Sequence, residues 1–138
     1  MKLCSACLLG INCRYDGKSK INEKIMNLAA SECLIPICPE QLGGLATPRP
    51  AVEVKDGKAI TKDGKNMTEY FENGAKEVLK IAKLLDVKEA ILKQKSPSCG
   101  CGQMYGGSFS GKIIDGDGIT TKLLNNNGIS VISENEVN

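Results

Sequence analysis

The stretch TEYFENGAKEVLKIAKLLDVKEAILK, residues 68–93, decides the fold. Its first part repeats apolar residues at helical spacing, with Phe71, Ala75, Val78, Leu79, Ala82 and Leu85 on one face. Thr68 stands where an N-cap belongs, and Glu69 and Glu72 complement the positive end of the helix. Glu89 to Lys93 then reads as a strand, so a helix hands the chain directly to a sheet.

Shorter versions of this alternation lie on both sides. Leu3 to Ala6 reads as a buried first strand, Asn22 caps a helix over Glu23 to Ala30, and Leu34 to Cys38 forms a second strand despite Pro36. That strand is expected to open into a turn at Gln41-Leu42-Gly43-Gly44. Asp56-Gly57, set within Val52 to Thr61, is the sequence form of a tight hairpin and is expected to make a flap over the site. Downstream, Gln94 to Gly111 reads as a binding loop rich in Ser, Gly and Cys. Thr120 to Asn126 reads as a helix ended by Gly128, and Ile129 to Ser133 as the last strand. The expected fold is a single α/β domain over residues 1–138, a mainly parallel, Rossmann-like sheet flanked by helices with a small β-hairpin.

Composition narrows the chemistry. At 138 residues, one domain can bury about two thirds of its unfolded surface without disulfides. A net charge of +2 does not suit a general nucleic-acid binder, and no run approaches the ~20 apolar residues of a membrane span. The reading is a cytoplasmic protein with no membrane partner and no stable nucleic-acid partner. Histidine is absent, which removes the commonest zinc ligand and general base and leaves cysteine as the abundant soft donor. Seven cysteines without an export signal argue for thiol or metal chemistry over a disulfide framework.

Ligands of such sheets gather at the carboxyl ends of the strands, and Cys7, Cys38 and Cys99 each follow or end an expected strand. Cys4-Ser5-Ala6-Cys7 is a C-x-x-C of the kind found in redox pairs and zinc knuckles. No second C-x-x-C completes a four-thiolate site, and the ferredoxin run of cysteines is absent. Cys33 reads as an inert thiol, while Cys4, Cys13 and Cys101 remain open between inert and functional.

Long motifs carry a resemblance. Ser5-Ala6-Cys7-Leu8-Leu9-Gly10 with Cys13-Arg14-Tyr15-Asp16-Gly17, Cys38-Pro39-Glu40-Gln41-Leu42-Gly43-Gly44-Leu45 with Thr47-Pro48-Arg49, and Ser96-Pro97-Ser98-Cys99-Gly100 resemble the thiouracil desulfidase (TudS) family. The match runs through Met67-Thr68 and Phe109-Ser110-Gly111 and covers essentially the whole chain. The resemblance implies a [4Fe–4S] cluster on three cysteines, here Cys7, Cys38 and Cys99, with one iron left open. It implies Glu40 and Ser98 as catalytic residues, and Ser5, Ser96 and Gly100 as substrate contacts. The expected reaction is non-redox desulfuration of a small thiolated nucleobase or nucleotide to its carbonyl product and hydrogen sulfide. Arg14, Arg49 and Lys95 are expected as local donors to a nucleotide phosphate. Tyr105-Gly106-Gly107 departs from the family's Tyr-Asp-Gly, and Cys101 adds a thiol beside Cys99. A cysteine-ligated zinc or iron–sulfur binding module and a thiol–disulfide oxidoreductase are the competing classes.

Overall fold

Cys4 and Leu3 point to opposite faces of the first strand, and each is fully buried, so apolar layers must cover the sheet on both sides. The computed structural model describes residues 1–138. In chain order the elements are β1 (Lys2–Ser5), α1 (Glu23–Ala29), β2 (Leu34–Ile37), α2 (Pro39–Leu42), β3 (Val52–Lys55) and β4 (Lys58–Thr61). They continue with α3 (Thr68–Leu84), β5 (Glu89–Leu92), β6 (Gln103–Tyr105), β7 (Ile113–Asp115), α4 (Ile119–Asn126) and β8 (Ser130–Ser133). Single 3₁₀ turns follow β1, at Ala6–Leu9, and β8, at Glu134–Glu136.

Four strands form one parallel sheet in the order β2-β1-β5-β8. Leu3, Ala90, Leu92 and Val131 face Val78 and Ala82 of α3 and Leu124 of α4. Cys4 and Ile91 face the other way, toward Ile25 of α1 and the turn bearing Ala6, Cys7 and Leu8. The connection from β1 leads outward to β2, whereas that from β5 leads the opposite way to β8, so the direction of winding reverses between β1 and β5. That reversal opens a crevice at the strand ends. Pro36 is tolerated because β2 is the edge strand.

The expected strands and long helices all form. Asn22 caps α1, its Oδ1 accepting from the Ile25 N–H at 3.2 Å. Thr68, expected as the N-cap of α3, is instead its first residue: its Oγ1 accepts from Ala59 N–H of β4 at 2.9 Å, while Asn66 Oδ1 accepts from Thr68 N–H. The hydroxyl thus ties hairpin to helix. The turn expected after Cys38 is the short helix α2, with Pro39 in its first turn where a missing N–H costs nothing. The loop expected over Gln94 to Gly111 contains β6, which pairs antiparallel with β7 just beyond it to make a second hairpin.

Candidate functional site

Three loops at the carboxyl ends of β1, β2 and β5 surround a cleft of about 620 Å³. Cys7 sits on the 3₁₀ turn after β1, and its carbonyl accepts from Lys20 N–H at 2.9 Å, which folds the segment containing Cys13 back over the crevice. Cys38 caps α2 without a side-chain bond to it, leaving its thiol free to face Cys13; its Sγ lies 3.7 Å from the Cys13 carbonyl oxygen. Cys99 follows β5 on a loop wound around Ser96, whose Oγ accepts from the N–H groups of Ser98 and Cys99 at 3.2 and 3.1 Å.

The start of α4 fixes that loop from beneath. Thr120 N–H donates to Ser98 O at 2.9 Å, and the Thr121 hydroxyl to Cys99 O at 3.0 Å. A Cβ at Gly118 would stand 2.5 Å from the Ser98 carbonyl, so only glycine permits this approach. Gly100 meets a similar limit, with a Cβ 2.6 Å from Gln103 O, and it is buried beneath the loop rather than lining the cleft.

Glu40, in the first turn of α2, carries two tethers. Arg49 Nε donates to Oε1 at 3.0 Å and Ser98 Oγ to Oε2 at 2.9 Å. Arg49 also donates to Thr47 Oγ1 and the Cys13 carbonyl, each at 2.8 Å, and its side chain is only 5% exposed. Expected as a phosphate donor, Arg49 is instead a buried clamp joining Glu40 to the Cys13 segment. Glycine sets the position of α2 itself: at Gly43 and Gly74 the backbones of α2 and α3 touch, and a Cβ on Gly74 would lie 1.9 Å from Pro39 O.

Burial weighs on the thiols. Cys99 is pushed up to about 12 by desolvation, only partly relieved by hydrogen bonds from Ser5 and Ser98. Cys13 is held down by its contact with Cys38 but raised more by Cys7 and by burial together, and stands at about 11. Cys38 is raised by that contact with Cys13 and by desolvation. Cys4 is fully buried and pushed up to about 12, which is unlike the accessible, low-pKa nucleophile of a redox pair. Cys101 turns away from the cleft to the Val131 carbonyl, with Sγ at 3.4 Å, so Cys99 is the thiol of the pair that faces the crevice.

Four thiols, those of Cys7, Cys13, Cys38 and Cys99, therefore line one cleft. No three His, Cys, Asp or Glu side chains converge on a single point suited to one metal ion. The donor set is soft and spread around an open space, which suits a multinuclear group. Ser5, Arg14, Lys95 and Ser96 line the same cleft, as do Lys20, Glu53 and Phe109, which the sequence did not single out as site residues. Arg14 rests over the Tyr15 ring at 5.8 Å, and neither Arg14, Lys20 nor Lys95 forms an ion pair, whereas Lys93 is paired with Glu134 at 3.0 Å. No helix is long and apolar enough to cross a membrane.

Known proteins share this arrangement. A family model described as 2-thiouracil desulfurase matches residues 3–136. The uncharacterized protein YbbK of Bacillus subtilis (strain 168) is 44% identical over 148 aligned positions, which take in all of this chain and 98% of that one. A solved structure of the [4Fe–4S]-dependent thiouracil desulfidase TudS superposes with a TM-score of 0.94 at 40% identity, covering 99% of this chain and 91% of that one. With a family model spanning nearly its whole length, the chain belongs to the 2-thiouracil desulfurase family.

Proposed function

We propose that the protein is a [4Fe–4S]-dependent desulfidase that converts a thiolated uracil compound, either the free base or its nucleoside monophosphate, to the carbonyl product and hydrogen sulfide. The observation that carries the reading is Glu40, held by Arg49 and Ser98 at the wall of a cleft lined by thiols from three separate strand ends. Cys7, Cys38 and Cys99 would hold the cluster, leaving one iron without a protein ligand. When bound, the cluster supplies a soft Lewis acid that prefers thiocarbonyl sulfur to carbonyl oxygen.

The chain's own residues provide the rest. An ionised carboxylate offers about four lone-pair directions, of which Arg49 and Ser98 occupy two. Glu40 therefore keeps acceptor capacity for a water, and takes its proton as the water attacks the thiocarbonyl carbon. The Ser98 hydroxyl bridges Glu40 and the Cys99 thiol, at 2.9 and 3.6 Å, and so orients base and ligand together. One water enters, carbon–sulfur bonding gives way to carbon–oxygen bonding, and sulfur leaves as hydrogen sulfide without net electron transfer. Arg14, Lys20 and Lys95, unpaired at the cleft, supply charge for a monophosphate.

The test is anaerobic reconstitution with iron and sulfide, followed by parallel incubation with thiouracil and 4-thiouridine monophosphate. Release of hydrogen sulfide with uracil or uridine monophosphate is expected. Failure of the reconstituted protein to desulfurate either compound, or four protein thiolates on the metal, would overturn the reading.

A further inference from the structure

The chain contains two phenylalanines, and they are placed very differently. Phe71 is fully buried in the core, whereas Phe109 is half-buried and lines the cleft. Phe109 also has φ of +55°, a left-handed backbone that a bulky side chain rarely adopts. Such strain persists only where surrounding contacts impose it, and it concentrates at ligand clamps.

The imposing contact is Glu53 of β3. One carboxylate oxygen, Oε1, accepts from Gly107 N–H at 3.0 Å and from Phe109 N–H at 3.1 Å. Gly107 presses directly on β3: a Cβ there would be 2.6 Å from the Lys55 Cβ. The tip of the β6–β7 hairpin is thus latched to the β3–β4 hairpin, and the latch delivers an aromatic ring to the cleft. Other aromatic rings at the cleft are less free. Arg14 already covers the Tyr15 ring, and Tyr105 belongs to β6, in register with Ile113.

We propose that Phe109 is the stacking platform for the substrate's flat pyrimidine ring and that Glu53 is the positioning residue that holds it over the cleft. The inference rests on the desulfidase reading of the site and adds a specificity element to it. Stacking uses the π-face, which a thio-pyrimidine and its oxo product share, so the contact binds substrate, transition state and product alike. Its loss therefore raises KM and spares kcat.

The experiment uses cluster-loaded protein with two readouts: thiouracil turnover, and calorimetric binding of uracil itself. Phe109→Leu is expected to raise KM and weaken uracil binding by about tenfold, with kcat within about twofold of the parent; Phe109→Tyr, which keeps the ring, stays near the parent. Glu53→Ala reproduces the Phe109→Leu defect, and Glu53→Gln, which keeps an acceptor oxygen, restores most of it. Iron content and the visible spectrum stay unchanged in all four. Parental uracil affinity in Phe109→Leu overturns the platform, and so does a parent that binds no uracil. If Phe109→Leu fails to fold, a tight-binding Phe109→Met together with a Glu53→Ala of parental KM does the same. A parent that binds uracil through Phe109 yet never turns over thiouracil sinks the desulfidase reading and leaves the platform standing.

Discussion

In the proposed reaction Glu40 is the base, and its two tethers fix it while leaving lone pairs for water. Replacing it by Gln preserves shape and removes the proton acceptor. Glu40→Gln is expected to lower turnover by about 10²–10⁴-fold at unchanged iron content, read by hydrogen sulfide release beside iron analysis. Arg49 belongs to the same ion pair, with both side chains nearly enclosed at 5% and 13% exposure. Arg49→Met strands a largely desolvated carboxylate, and a loss of about 3 kcal/mol in the urea unfolding of the iron-free chain is expected. That Glu40, Cys7, Cys38 and Cys99 share one cleft was legible from motif and strand position. Arg49 was not, because a guanidinium in a sequence reads as a free cation until its partner is seen nine positions away and buried beside it. Sequence likewise places Gly100 next to Cys99, and the fold packs it beneath the loop.

Among the elements, α2 carries both Cys38 and Glu40, and its place depends on α3 more than on its own four residues. A glycine inside a helix ordinarily costs about 1 kcal/mol relative to alanine, so Gly→Ala usually stabilises. At Gly74 the sign reverses, since a methyl group would meet the Pro39 carbonyl at 1.9 Å. Gly74→Ala is expected to destabilise by roughly 1–3 kcal/mol in chemical denaturation, and to retain less iron after reconstitution because α2 is displaced. Helical and strand periodicity made α1, α3, α4 and the sheet strands readable. The elements α2, β6 and β7 were not: four residues make barely one helical turn, β6 and β7 have only three residues each, and tertiary contacts form them.

For the molecule as a whole, seven cysteines make thiols, beside the lysines and tyrosines, a large part of the alkaline titration. Cys4, Cys13 and Cys99 have pKa values raised from 9.0 to about 12, 11 and 12, so the native iron-free state holds their protons longer than the unfolded chain does. The stability these thiols contribute is full below pH 9 and is lost as pH climbs from 9 toward 12. Thermal melts of iron-free protein are expected to fall across that window, and less steeply in Cys4→Ala, which removes one of the titrating groups. The sequence alone determined the α/β alternation, the soft-donor chemistry and the three strand-end cysteines, since periodicity and residue type are local properties written along the chain. Only the tertiary structure decided which cations are free and which are clamped, that Cys99 rather than Cys101 faces the cleft, and that Glu53 reaches the Phe109 backbone. Those are contacts between segments brought together by burial on both faces of one sheet, and burial is a property of the packed molecule.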